Sequence, residues 1–302
     1  MKAMSVAELM LESAERLAKA RLAYGHGTDN AFDEASALVF HALGLEHDAA
    51  PRAYRRSVSA AGRRRVRALI ARRIRSRRPA AYLMRRMWFA GLEFYVDERV
   101  LVPRSPIAEL IANGFAPWID PRRVRQVLDI GTGSGCIAIA VARRFPRAEV
   151  DAVDISEPAL LVARRNIRRH RVTRRVQALH GDLFGASDGR RYDIIVSNPP
   201  YVGTREYGSL PAEYRREPGL ALRSGPKGLD AVSRILTEAE SFLRPHGILI
   251  VEVGNTQQAL EQKYPRVPFT WIEFQHGGGG VFALSRAQLE AHRDELSGAG
   301  RT

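Results

Sequence analysis

The run Val127-Leu128-Asp129-Ile130 leads directly into Gly131-Thr132-Gly133-Ser134-Gly135 and then into Cys136-Ile137-Ala138-Ile139-Ala140. A β-branched apolar strand, a glycine-dense turn and a helical stretch follow one another without a spacer. Glycine lets the backbone turn sharply and come close to a ligand. From Val127 onward strands alternate with helical patterns, which argues for a parallel sheet with helices on both faces. Strands are expected at 125–130, 149–154, 176–180, 192–197, 247–253, 268–274 and 280–284. The last two lie close together behind a helix near 256–263, so an antiparallel final strand is expected. The fold class is therefore α/β, a Rossmann-like, mostly parallel seven-stranded sheet.

In an open sheet of this kind, ligands bind beyond the carboxyl ends of the strands. Polar residues gather at that edge. Asp154 lies 23 residues after Gly131 and ends the second strand, where a carboxylate can hold ribose hydroxyls. Asp182 follows the third strand. The fourth, Tyr192-Asp193-Ile194-Ile195-Val196, is stopped by Ser197-Asn198-Pro199-Pro200-Tyr201. Two prolines fix the backbone and remove two N–H donors. The acceptors that remain, the Asn198 side-chain oxygen and the main-chain carbonyls, suit a planar NH2 group held with one face free. Asn-Pro also marks ordinary turns, and it is the upstream loop that favours a site. A dinucleotide fingerprint reads Gly-x-Gly-x-x-Gly. Here the third glycine comes one residue early and Cys136 takes its place, which disfavours a nicotinamide dehydrogenase.

Upstream of the sheet the pattern is helical. Ser5-Val6-Ala7-Glu8 is a capping box, followed by an apolar face of Val6, Leu9, Met10 and Leu17. Ala35, Leu38, Val39 and Leu43 repeat at helical spacing up to Gly44. Val66, Leu69, Ile70 and Ile74 stripe an arginine-rich helix that stops before Pro79. Residues 1–86 are expected to form a small all-α domain that recognises the substrate. Residues 87–106 read as a β-hairpin linker, built from Met87-Trp88-Phe89, Leu92–Val96 and Val100-Leu101-Val102 and closed by Pro103-Arg104-Ser105-Pro106. Residues 107–302 carry the sheet.

The net charge of +14 is localised: Arg52–Arg86 holds fourteen arginines and no Asp or Glu. Such a face suggests nucleic acid or a ribonucleoprotein as partner. The competing reading is solvated helix surface, since arginine stands for lysine almost throughout and only Lys2, Lys19, Lys227 and Lys263 are present. Cys136 is the sole cysteine, so no disulfide framework or thiolate metal cluster is expected, and a reducing cytoplasm fits. His26, His41 and His47 have no metal-ligand pairing. There is no apolar run long enough to span a membrane, and no signal peptide is expected.

From about residue 110 onward the chain resembles the class I S-adenosylmethionine-dependent methyltransferases. Asn198-Pro199-Pro200-Tyr201 matches the signature of those that methylate a planar amide or an exocyclic amine. The helical region, the hairpin, Val100-Leu101-Val102-Pro103-Arg104, Glu217-Pro218, Leu220-Ala221-Leu222 and Gly228-Leu229-Asp230 resemble the protein-glutamine methyltransferases, the HemK/Prm family. These modify either peptide release factors or a large-subunit ribosomal protein. Pro103-Arg104-Ser105-Pro106-Ile107 departs from the Pro-Arg-Pro-Glu-Thr-Glu usual in the release-factor branch. Leu210-Pro211-Ala212-Glu213-Tyr214-Arg215 and Phe269-Thr270-Trp271 through Gly280-Val281-Phe282 look like the ribosomal branch.

The resemblance implies S-adenosylmethionine as cofactor, held by Asp129, Gly131, Thr132, Gly133, Gly135, Asp154, Ile155, Asp182, Leu183 and Asn198. It implies Asn198, Pro199 and Tyr201 as catalytic residues, with the Asn198 Oδ1 and the Pro199 carbonyl accepting the two N–H bonds of a glutamine amide. Tyr201 then packs against the amide or methyl, or supports the turn as a core aromatic; both readings stand. Leu183-Phe184 replaces a Trp frequent in the release-factor branch, so one of the two is expected to cover the adenine. Cys136 is expected as packing, Glu252 as a structural hydrogen-bonding group and Arg104 against substrate or an acidic neighbour. The implied substrate is a large-subunit ribosomal protein, with the arginine-rich helices facing RNA of an assembly particle. Competing classes are the same reaction on release factors, methylation of a nucleic-acid amine, and a non-enzymatic RNA-binding assembly factor. The nucleic-acid amine reading needs a base-reading module that is not identifiable; the intact Gly131, Gly133, Gly135, Asp154 and Asn198 oppose the non-enzymatic one.

Overall fold

The computed structural model describes residues 4–46, 51–187 and 189–298. Four helices come first: α1 (Val6–Lys19), α2 (Ala31–Leu43), α3 (Ala60–Ser76) and the short α4 (Ala80–Met84). Polar caps set the first three starts. Ser5 and Glu8 exchange the two bonds of the expected capping box, Asn30 accepts from the Phe32 and Asp33 N–H groups, and Ser59 accepts from Gly62. The apolar faces meet in a cluster of their own that includes Leu9, Leu17, Leu38, Val66 and Ile70.

β1 (Met87–Phe89) and β2 (Leu92–Phe94) then pair antiparallel about Ala90-Gly91, both in the left-handed region at φ +48° and +73°. That is the two-residue turn whose twist matches a hairpin. Val100-Leu101-Val102 does not join this hairpin. Its Val102 N–H donates to the Glu217 carboxylate at 2.9 Å, and the stretch becomes the wall of a cavity.

The remainder runs α5 (Ile107–Ala112), β3 (Gln126–Ile130), α6 (Cys136–Arg144), β4 (Glu149–Asp154), α7 (Glu157–Arg169), β5 (Val176–His180), β6 (Tyr192–Ser197), α8 (Thr204–Ser209), α9 (Asp230–Phe242), β7 (Leu243–Glu252), α10 (Gln257–Lys263), β8 (Thr270–Trp271), β9 (Val281–Ser285), α11 (Arg286–Ala291) and α12 (Arg293–Ser297). The sheet order is β5-β4-β3-β6-β7-β9-β8, with β9 antiparallel to both neighbours. The seven expected strands are all present. The sixth shrinks to Thr270–Trp271, starting two residues after Pro268, which has no N–H to give a ladder. The fifth starts earlier than expected, at Leu243, which pairs with Tyr192 ahead of an irregularity in the β6–β7 register.

Neighbouring residues of a strand point to opposite faces. Val127 of β3 therefore joins a cluster with Ile137, Val141, Val150, Ile194 and Ile250, under α5 and α6. Leu128 and Ile130 join Ile195, Leu249, Ile235 and Leu260, under α9 and α10. The chain steps outward from β3 through β4 to β5 and then resumes on the other side of β3 with β6. A crevice opens at that reversal, between the ends of β3 and β6, where α/β sheets bind ligands. Among the described residues, no helix is long and apolar enough to cross a membrane.

Candidate active site

The glycine loop leaves β3 and leans toward β4: the Gly131 and Thr132 N–H groups donate to the Val153 carbonyl at 2.9 and 3.0 Å. Gly131, Gly133 and Gly135 adopt φ of +71°, +54° and +78°, which L side chains rarely tolerate. At Gly135 a Cβ would also stand 3.3 Å from the Ala163 Cβ of α7. Asp129, fully buried in β3, braces the loop from beneath. Its Oδ2 accepts from the Thr132 hydroxyl at 2.6 Å and the Ala138 N–H at 3.1 Å. Burial pushes its carboxyl up to about 7. Asp129 acts on the loop and does not border the cavity.

Asp154 does border it. One oxygen accepts from the Gly133 N–H at 2.8 Å and the other from the Ser156 N–H at 2.8 Å, and Ser156 caps α7. Burial holds this carboxyl above its usual range in spite of both bonds. Ile155, half-exposed, stands at the cavity wall beside it. Asp182 is paired with Arg234 of α9 at 2.9 Å. Leu183 lines the cavity with φ +50°, a conformation costing a non-glycine residue about 1–3 kcal/mol. Phe184 instead turns inward and stacks on Phe242 at 4.6 Å, so of the two candidates Leu183 reaches the cavity.

The opposite wall starts where β6 ends. The Ser197 hydroxyl donates to the Ile130 carbonyl at 2.8 Å, locking β6 to β3 and setting Asn198 beside Gly131. Asn198, Pro199 and Pro200 line the cavity, whose volume is about 350 Å³. The Asn198 Oδ1 is buried and has no hydrogen-bond partner among the described residues. Leaving a buried acceptor unmade costs about 1–3 kcal/mol. Tyr201 lies behind the turn, outside the cavity lining. A Cβ on Gly254 would stand 2.7 Å from its ring, and its hydroxyl is 3.4 Å from the Glu252 Oε1. The other Glu252 oxygen accepts from the Ser105 hydroxyl, and burial pushes Glu252 up to about 7. Among the described residues, no group of three or more His, Cys, Asp or Glu is arranged to hold a metal.

Residues 112–210 match the Methyltransferase small domain family. The ribosomal protein uL3 glutamine methyltransferase of Xanthomonas campestris pv. campestris is 48% identical over 293 residues, which is 97% of this chain and 95% of that one. Its counterpart in Neisseria gonorrhoeae is 46% identical over 286 residues, 94% and 95% of the two chains. The chain belongs to the ribosomal protein uL3 glutamine methyltransferase family. The hMettl16 catalytic domain, solved in complex with MAT2A 3'UTR hairpin 6, shares the fold at 16% identity, with a TM-score of 0.51 over 76% of this chain and 82% of that one. This member of the uL3 glutamine methyltransferase family has the class I fold and S-adenosylmethionine as its cofactor.

In this methyltransferase two further carboxylates matter that the motifs left unassigned. Glu217 is wholly buried under the cavity wall. It takes both terminal nitrogens of Arg104 at 2.7 and 2.8 Å, and the His26 ring nitrogen lies 3.3 Å away. Glu213 takes Arg77 at 2.7 Å, with Arg73 at 3.7 Å, and Arg73 is itself clamped on Glu34. The segment after the Asn-Pro-Pro turn therefore ties the N-terminal helices to the catalytic region. The signal was available: Glu213 and Glu217 are acidic positions at i and i+4, facing an arginine window that has no acid of its own. Arg73 is fully buried, so that window is not a uniform surface. Cys136 is buried, and burial pushes its thiol up to about 12, as suits a packing residue.

Proposed function

We infer that this protein transfers the methyl group of S-adenosylmethionine to the side-chain amide nitrogen of a glutamine in ribosomal protein uL3. The family supports the reaction and the substrate; the buried, unpartnered Asn198 Oδ1 at the cavity wall supports where it happens. The cradle fits the cofactor: the left-handed Gly131 and Gly133 keep Cβ atoms out of it, and Asp154, Asp182, Ile155 and Leu183 are among the side chains that border it. Gly131, Thr132, Gly133, Asp154, Ile155, Asp182 and Leu183 would hold the cofactor, with Asp129 and Gly135, which do not line the cavity, acting through the loop. When bound, it supplies an electrophilic sulfonium methyl.

The amide nitrogen is a poor nucleophile because its lone pair is delocalised into the carbonyl. Asn198 Oδ1 and the Pro199 carbonyl accept its two N–H bonds and point the lone pair at the cavity. Bonds that strengthen as the nitrogen pyramidalises lower the barrier instead of only tightening binding. Positioning in the crevice contributes through proximity. No strong base is needed, because the methylated nitrogen is acidic and sheds a proton to a carbonyl or water. Tyr201 and Glu252 keep the turn in shape. The N-terminal helices form the substrate-recognition domain, and uL3 is met in the cytoplasm, either free or within an RNA-containing assembly particle.

The test is mass spectrometry after incubation with S-adenosylmethionine and unmodified uL3, both release factors or RNA. One added methyl on a single uL3 glutamine is expected. Label on a release factor or on RNA, with none on uL3, would overturn the reading.

A further inference from the structure

A second arginine cluster lies outside the window Arg52–Arg86. Residues 158–181 hold Arg164, Arg165, Arg168, Arg169, Arg171, Arg174 and Arg175 and no Asp or Glu. They occupy the end of α7 and the loop leading to the edge strand β5. Arg168, Arg171 and Arg174 are exposed, make no ion pair among the described residues, and surround a shallow hollow of about 550 Å³ with Thr173 and Arg175. Arg175 spends its guanidinium on the Ala142 and Phe145 carbonyls. The cavity at the β3–β6 crevice shares none of these residues.

The hairpin joins this cluster to the first one. Glu93 of β2 is gripped by Arg86, 3.2 Å away, and on its other oxygen by Arg169 of α7. Tyr95 is flanked in the same way: Arg85 donates to its hydroxyl at 3.4 Å, and Arg165 sits 3.5 Å over its ring. Arg86 lies just beyond α4, whose Met84 packs on the cluster of the N-terminal helices, and the Ala42 carbonyl on the last turn of α2 takes Arg65 of α3 at 3.3 Å. From there Arg64, Arg72 and Arg75 are exposed within about 80° of one face of α3, at 100° per residue. Glu93 is spoken for by two arginines, and Asp97 nearby by Arg99.

We propose that these two clusters form one phosphate-binding track that runs from α3 across the hairpin to the end of α7 and takes the backbone of structured RNA. Guanidinium groups suit phosphate because the planar fork donates in pairs. The spread over two structural regions suits an extended polyanion more than a single ion. The proposal deepens the RNA reading above by adding a catalytic-region half that does not touch the methyl-transfer cavity.

The experiment compares the full-length protein with two triple variants, Arg64→Gln/Arg72→Gln/Arg75→Gln and Arg168→Gln/Arg171→Gln/Arg174→Gln. Binding of a short RNA duplex is measured by fluorescence anisotropy across a salt series, with polyglutamate of matched charge as competitor. Each neutralised phosphate contact steepens the log–log salt dependence by about 0.9 for a duplex. Both variants are expected to weaken binding at least tenfold and to flatten the slope by roughly 2–3, while the α7-end variant, which lies outside the substrate-recognition helices and the cavity, methylates free uL3 at the wild-type rate. If only the α3 variant changes, the track is wrong and the RNA reading survives. Unchanged binding in both variants, or equal binding of polyglutamate, overturns both.

Discussion

Arg104 holds Glu217 through both guanidinium nitrogens, at 2.7 and 2.8 Å, beneath the ring of Tyr214. The pair joins the cavity wall to the segment that anchors the N-terminal helices. Removing one partner of a buried ion pair leaves the other charge uncompensated, at about 3–5 kcal/mol. Glu217→Gln is therefore expected to lower the denaturation midpoint sharply in a thermal or urea titration. A shift equal to that of a surface Glu→Gln control would contradict this.

The buried carboxyls set opposite pH dependences. Burial alone would raise Glu217, but the His26 contact and the Arg104 charge bring it below its usual range. Its contribution is present above about pH 4.5 and is lost as pH falls through the lowered value. Glu252 is raised to about 7 by burial. The folded state then binds a proton that the unfolded chain releases, so stability falls as pH rises from about 4.5 through 7. Glu252→Gln should remove this loss: its stability relative to wild type is higher at pH 8 than at pH 5, by urea denaturation. Parallel curves at the two pH values would contradict the assignment.

Sequence periodicity captured the sheet because its strands are buried on both faces and written in Val, Ile and Leu. The antiparallel last strand was legible from its short separation from the strand before. Cavity residues at strand ends were legible for the same reason: Asp154, Asp182 and Asn198 each follow a recognisable apolar run. What stayed hidden depends on contacts between distant segments. Nothing local says that Asp129 turns under the loop, that Phe184 turns inward while Leu183 faces the cavity, or that Arg73 is buried between Glu34 and Glu213. Tyr201 was left open between substrate contact and turn support. Its ring on Gly254 and its hydroxyl toward Glu252 favour support.

Tyr201→Phe keeps that ring and loses a 3.4 Å hydroxyl contact. The expected fall in kcat is less than tenfold, with KM for uL3 unchanged. A loss of a hundredfold or more would place the hydroxyl in the chemistry.

Gly135→Ala forces a side chain into φ +78° with its Cβ 3.3 Å from Ala163. The strain of about 1–3 kcal/mol falls on the loop proposed to shape the cofactor cradle. Calorimetry should find weaker S-adenosylmethionine binding and a lower melting temperature. Unchanged binding would mean that the loop does not form the cradle.

The most direct measurement is the single-turnover rate of methyl transfer to uL3 by Asn198→Ala at saturating S-adenosylmethionine. The Oδ1 makes no bond within the described protein, so truncation should leave the fold and the melting temperature close to wild type. By analogy with removal of one preorganised polar group from an active site, the rate should drop by about 10²–10³. A folded variant that methylates uL3 at the wild-type rate would contradict the claim that Asn198 holds the reacting amide.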